Sequence, residues 1–288
     1  MSIGADKAPL PVGSPSVTPL VVSRFAVRIP QRDTVPDDDW IRQRADLLCR
    51  FTLPSLERSG VPALRWALLV APETFEPACR ALQPVLARCR NTRPEVVRVV
   101  GEPGSRVAIA PDLERLDLST ERVVSIRLDT DDALLPGTIL RIVRVAEGAT
   151  TNTLVDLYSG YQYDTRSGLL RSHAQGRQGP FLALVNDREA NPIDAPELHV
   201  GARKDRIVHH LHGGSYIQVI HDGNVINTMQ RRSPRSRGAS LLVHREGGAR
   251  RAWTIASSNR DVRPPRARRV LESCGIDAGL RLDVPAVL

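Results

Sequence analysis

Three aspartates, Asp129, Asp131 and Asp132, stand within four residues directly behind the run Val123-Val124-Ser125-Ile126-Arg127-Leu128. Carboxylates gathered in this way suit hard cations such as Mg²⁺ or Mn²⁺, which take oxygen ligands and are commonly held by one or two carboxylates together with substrate phosphates. If the chain stays extended past the run, Asp129 and Asp131 point to one side while Thr130 points away. Asp132 then falls outside the pair, as a helper or a cap. The same letters also fit a solvated turn, because Asp favours turns and helix caps. Position favours the chemical reading: open α/β sheets bind ligands just past the carboxyl ends of buried strands, and the preceding run has the apolar, β-branched character of one.

The other residues able to do chemistry give weaker signals. His209, His210 and His212 lack the spacing of a helical zinc pair and have no Cys nearby, so they are expected on the surface or hydrogen-bonded. Cys49, Cys79, Cys89 and Cys274 show neither zinc-like spacing nor the density of a disulfide scaffold, and read as reduced thiols of a cytoplasmic protein. Trp40 and Arg44 lie one helical turn apart, which has Trp40 anchoring its helix while Arg44 reaches toward an acid. Gly213, Gly214 and Gly223 stand in no phosphate-loop motif and are expected to permit turns.

The elements that must position these residues alternate. Leu20 to Val27 reads as a strand, and Asp37-Asp38-Asp39-Trp40 opens a helix with Ile41, Ala45, Leu48 and Phe51 at helical spacing. Pro54 ends or restarts that helix, and Trp66 to Val70 is a second strand. Phe75 to Cys89 is a helix with Ala78, Leu82, Val85 and Leu86 on its apolar face, followed by a strand at Val97 to Val100. After the acidic cluster, Ile139 to Val145 predicts a helix over the sheet. This is the pattern of an α/β fold with a parallel sheet. Beyond it the chain turns mixed or antiparallel: paired strands around Ser159-Gly160, strands at Phe181 to Val185 and Tyr216 to Ile220, a strand pair at Leu241 to Val243 and Trp253 to Ile255, and a short helix from Pro264-Pro265. No internal repeat is visible.

The 288 residues divide into a flexible leader over 1–18, a catalytic domain over 19–228 and a basic C-terminal extension over 229–288. With 41% apolar and 25% charged residues, disorder throughout is excluded. The net charge of +8 resides in the extension, where thirteen Arg face five acidic residues, while the rest of the chain is balanced. Lys7 and Lys204 are the only lysines, so the basic charge reflects residue usage as much as phosphate recognition, and nucleic acid is not the expected partner. No segment approaches the roughly twenty apolar residues of a membrane span, and the N-terminus lacks a basic region followed by an apolar stretch.

Four landmarks in order resemble the rhamnosyltransferase family of bacterial glycosyltransferases, which look like members of the GT-A class of nucleotide-sugar enzymes. They are Ser23-Arg24-Phe25; Trp40 and Arg44 with Thr52-Leu53-Pro54-Ser55; Arg127-Leu128-Asp129-Thr130-Asp131-Asp132-Ala133-Leu134; and Gln218-Val219-Ile220-His221-Asp222-Gly223-Asn224-Val225-Ile226-Asn227. The resemblance implies a GT-A-like, Rossmann-type mixed sheet flanked by helices. It implies transfer of a sugar, rhamnose or another hexose, from a nucleotide-sugar donor to a saccharide or other hydroxyl acceptor, with Mn²⁺ or Mg²⁺ neutralising the departing diphosphate. By the same resemblance Asp131 is the main metal ligand, Asp129 faces ribose or metal, Asp132 assists, His221 completes the metal site and Asn224 orients its neighbours. Arg24 and Phe25 line the nucleotide pocket, and Arg127 pairs with the acidic loop or a phosphate. The segment Val70-Ala71-Pro72-Glu73-Thr74 departs from the family, which carries an acidic residue there. An inverting transfer needs a general base near the acceptor hydroxyl, and within Leu184 to Glu189 the expected base is Asp187. Two other functions use the same features: a metal-dependent nuclease or phosphohydrolase built on the carboxylates, and a nonenzymatic nucleic-acid-binding protein built on the Arg-rich extension.

Overall fold

The protein is described by a computed structural model, over residues 17–27, 35–99, 116, 118, 120, 122–174, 180–187, 207–221, 240–246, 249–255 and 261–277. The leader up to residue 16, the Arg231 to Arg237 linker and the Asp222 to Asn227 end of the last landmark lie outside these residues.

Seven strands form the main sheet in the order β10-β6-β9-β4-β1-β2-β3. The strands β1 (Val17–Ala26), β2 (Leu64–Val70), β3 (Thr92–Arg98) and β4 (Arg122–Arg127) are mutually parallel neighbours, joined through α1 (Asp38–Leu47), α2 (Leu53–Glu57) and α3 (Phe75–Leu86). Beyond β4 comes β9 (Leu182–Asp187), antiparallel to β4 and to β6 (Leu154–Leu157), and β10 (Val208–Leu211) runs parallel to β6. The result is a Rossmann-type mixed α/β sheet with the C-terminal ends of β1, β2, β4, β6 and β10 along one edge. The helices α1, α2, α3 and α4 (Thr138–Gly148) supply one core with Val21, Phe25, Trp66, Val124, Ile126 and Leu157, and so lie on one face of the sheet. Alternation along the strands places Leu20, Val22 and Val123, and further along Leu154, Leu184 and Val208, on the other face.

A smaller sheet, β5-β11-β7-β8, is formed by β5 (Ala133–Leu134), β7 (Ser159–Asp164), β8 (Leu169–Ala174) and β11 (Tyr216–Ile220). It therefore begins at the residue after the acidic cluster. Gly160 is required there: a Cβ on it would stand 2.5 Å from the Tyr216 carbonyl oxygen. The helix α5 (Pro264–Ser273) returns from the basic C-terminal segment and buries Ala267 and Leu271 with Tyr163, Ile217 and Val219 of this sheet. Among the described residues the strands β12 (Ser240–Glu246) and β13 (Ala249–Ile255) pair only with each other, antiparallel. Among the described residues no helix is long and apolar enough to cross a membrane.

Local expectations and outcome differ at three points. The strands on either side of Tyr158 do not pair; β6 joins the main sheet and β7 the small one, so the chain changes sheets there instead of making a hairpin. Of the two readings of Pro54, restarting the helix holds and ending it does not: α1 passes through a π-helical turn, Leu48–Thr52, into α2, whose first turn tolerates the missing Pro54 N–H. Leu86 and Leu140, counted on apolar faces, are exposed.

Candidate functional site

The acidic cluster begins where β4 ends. Leu128 donates its N–H to the Val22 carbonyl, which continues the ladder for one more residue, and the chain then turns, with Asp132 N donating to the Asp129 carbonyl at 3.2 Å. The loop is thus not extended, and Asp129 and Asp131 approach each other across a turn. Thr52, from the π-helical turn after α1, clasps it: its hydroxyl donates to the Asp132 carbonyl at 2.8 Å. Ser55 fixes the exit, accepting Leu134 N at 3.2 Å while donating to the Thr52 carbonyl.

Each aspartate faces different company. Asp131 is 4% exposed, and its Oδ2 receives both Arg44 Nη1 and His221 Nε2 at 2.9 Å. Burial opposes its ionisation, but the Arg44 and His221 charges and hydrogen bonds outweigh it and hold the carboxyl at about 2. Arg44 is placed by α1, which Asp37 caps by accepting Trp40 N at 2.8 Å, and its guanidinium stacks over the Trp40 ring. Asp129 is partly open; Arg127 contacts it at 3.2–3.3 Å and Arg24 at 3.8 Å. Here too burial works against ionisation, and the Arg127 and Arg24 guanidiniums overcome it, so the carboxyl lies below its usual range. Asp132 is 1% exposed and accepts Val219 N of β11 at 2.6 Å. Burial, reinforced by the Asp131 and Asp129 charges, pushes its carboxyl well above the usual range.

The sequence-derived residues therefore divide. Asp129, Asp131, His221, Arg24 and Arg127 come together at one edge of the sheet. Asp132 is a correction: its carboxyl ties the loop to β11 from the inside and is turned away from solvent. Phe25 is a second. As the neighbour of Arg24 on a strand it points to the opposite face, where it is 1% exposed in the main core and has no ring surface to offer a base. Asp187 is the third. Because β9 is antiparallel to β4, Asp187 pairs with Arg122 at the start of β4, while the acids follow its end. Five residues of strand, roughly 17 Å, separate Asp187's level from that of Arg127. Asn224 lies outside the described residues. Arg44 reaches an acid, as its spacing from Trp40 suggested, and that acid is Asp131; Thr52 acquires a contact to the loop that sequence reasoning did not assign, its one signal being position within the landmark that includes Trp40.

The donor set can be tested against a cation. Octahedral Mg²⁺ with bonds of about 2.1 Å sets neighbouring ligands about 3 Å apart, and Asp131 Oδ2 and His221 Nε2 are separated by 2.9 Å. Thr130 adds a buried hydroxyl without a hydrogen-bond partner, as does the Nε of Arg44. Among the described residues no three His, Cys, Asp or Glu side chains form a cation cage, so a cation held here would need further ligands from a bound phosphate or water. The residues fit a metal held jointly with a substrate.

The profile of the family described as "putative rhamnosyl transferase" matches residues 30–240 of the chain, a span that holds Arg44, Thr52, Arg127, the whole acidic loop and His221. No curated protein matches the sequence.

Proposed function

The chain belongs to the rhamnosyl transferase family, and from that premise we propose that it is a metal-dependent glycosyltransferase, moving rhamnose or another hexose from a nucleotide-diphosphate donor to a saccharide or other hydroxyl acceptor. One observation supports this above the others: Asp131 is held ionised between Arg44 and His221 in a loop whose other carboxylate, Asp129, is matched by Arg24 and Arg127. Carboxylates kept charged beside arginines at the mouth of a Rossmann-type sheet suit a ligand with both a cation and phosphates.

Asp131, His221 and Asp129 would hold Mn²⁺ or Mg²⁺, which when bound supplies positive charge to the departing diphosphate. Arg24 is 32% exposed and is the guanidinium best placed to meet a phosphate oxygen, whereas Arg127, 8% exposed, fixes Asp129 from beneath. Arg44 and Thr52 hold the loop in place before any ligand arrives, so little reorganisation is left for the binding step. The experiment is a thermal-shift screen of nucleoside diphosphates with and without Mn²⁺. At least one should raise the melting temperature only with metal, and Asp131→Ala should remove the shift. Absence of any nucleotide effect in any metal would refute the proposal.

A further inference from the structure

The small sheet and the helix packed on it leave a cleft between them. Ala133 pairs with Ile217, Ile217 with Tyr161 and Tyr161 with Ser172, so one row crosses β5, β11, β7 and β8. Ala133, Ile217 and Tyr161 pack with Ala267 and Leu271, which places the row on the face that α5 covers. Where α5 begins, a cleft of about 600 Å³ opens between its first turns and the Tyr161–Ser172 end of the row. That volume falls within the range of small-molecule sites, roughly 300–1,000 Å³. Tyr161 stands two strand spacings, about 10 Å, from Ala133, the residue that follows the acidic loop.

The lining of this cleft is basic. Arg263, Arg266 and Arg269 recur every third residue at the start of α5 and all line it. Asp261, also in the lining, is engaged by Arg171 Nε at 2.6 Å. Among the described residues no carboxylate pairs with any of the three lining guanidiniums, whereas Arg24, Arg44 and Arg127 each meet an aspartate. The arrangement works against the helix. Like charges three residues apart repel, cations are unfavourable at the positive end of the helix dipole, and the first turn of α5 holds no acid to offset them. A cluster that costs stability, and that an anion would relieve, is the pattern of a binding site. The helix end itself offers such an anion nothing: Pro264 and Pro265 have no N–H, and the Arg266 and Ala267 N–H groups donate to the Arg263 carbonyl at 2.9 Å. The donors are therefore the guanidiniums, whose planar forks match carboxylate and phosphate oxygens. Tyr161, with Val262 and Pro265, adds apolar surface on which a ring can rest.

We propose that this cleft binds a small anionic sugar, a sugar phosphate or a sugar acid, with its anionic group on Arg263, Arg266 and Arg269 and its ring against Tyr161. The three guanidiniums supply the positive charge themselves, so binding needs no metal. The anion site stands independently of the transfer reading above; that the ring is a sugar rests on it.

The test uses the full chain in EDTA, which keeps divalent cations from the acidic loop, and measures binding by calorimetry and saturation-transfer NMR. The probes are glucose 6-phosphate, glucuronic acid, inorganic phosphate and glucose. At least one of the first two should bind tenfold or more tightly than both phosphate and glucose, and which one does so tells the sugar phosphate from the sugar acid. The double variant Arg266→Ala, Arg269→Ala should lose affinity by on the order of tenfold or more. Its melting temperature should equal or exceed that of wild type, because the charges removed repelled each other. Tyr161→Leu should weaken the sugar ligand several-fold and inorganic phosphate by less than about twofold. Asp131→Ala should bind the sugar ligand as wild type does. No binding of any probe, or affinity undiminished in the double variant, would overturn the proposal, and phosphate bound as tightly as the anionic sugars would overturn its sugar part. If the wild-type chain takes up an anionic sugar in EDTA but no nucleotide with Mn²⁺, the donor reading fails and the anion site stands.

Discussion

Asp131 with His221 and Asp156 with His210 are the same two residue types at nearly the same separation, 2.9 and 3.0 Å. Their surroundings differ. The first carboxylate also holds Arg44, and its imidazole engages through Nε2; the second engages Nδ1 and sits among the rings of Tyr158 and His212. A guanidinium on the carboxylate fixes charge, which suits a cation and phosphates, whereas the second pair is packed by aromatic rings. Environment, not residue identity, assigns the role. A third histidine completes the series: His173 is 3% exposed, shares a 2.9 Å hydrogen bond with the Tyr216 hydroxyl, and burial lowers it to about 4, so it serves as a neutral part of the core.

The largest break in the comparison is Asp131→Asn. It leaves the shape but removes the charge that Arg44 and His221 face, and should abolish metal-dependent nucleotide binding. The depression from 3.8 to about 2 corresponds to about 2 kcal/mol. That contribution is present above the unfolded carboxylate range and is lost as pH falls toward 2, so the variant's stability should depend less on pH below 4 in urea melts.

A comparable effect of opposite chemistry is expected at His173. Its folded value lies below its unfolded 6.5, so its stabilisation is complete above that pH and is lost as pH falls from 6.5 toward 4. The loss is of order 3 kcal/mol, and His173→Phe should flatten the stability profile in that window. A profile unchanged by the substitution would show that the ring titrates freely.

How much of this was legible in the residues follows from what is local. The run before Asp129 announced a buried strand and its acids a site, because both signals occupy one stretch of chain. Arg24 and Phe25 were taken as companions although adjacent strand residues face opposite ways, which only the identity of the helix-covered face decides. Asp187 failed because strand direction is not written in a strand's own pattern; β9 reads the same parallel or antiparallel. The strands flanking Tyr158 looked like a hairpin because their division between two sheets depends on partners up to sixty residues away. His210 was expected on the surface or hydrogen-bonded and is hydrogen-bonded, but its partner Asp156, 54 residues distant, could not be named from the sequence.

Smaller substitutions sharpen the contrast. Thr52→Val removes the clasp on the Asp132 carbonyl and should cost about 1 kcal/mol in thermal melts, with nucleotide affinity reduced several-fold. Arg24→Ala breaks a partly exposed contact of 3.8 Å, so stability should change by less than about 0.5 kcal/mol. Nucleoside diphosphate affinity should nevertheless fall, which would separate phosphate binding from folding at this position.

The central claim is that Asp131 and His221 hold a divalent cation together with a nucleotide diphosphate, and electron paramagnetic resonance of Mn²⁺ reports on it directly. Titrating the full chain with Mn²⁺ and dTDP should deplete the free-ion signal in wild type, and the signal should persist in Asp131→Ala and His221→Ala but not in Asp156→Asn. Free Mn²⁺ undepleted in the wild-type chain across dTDP, UDP and GDP, or depleted equally by the Asp131→Ala variant, would contradict the account.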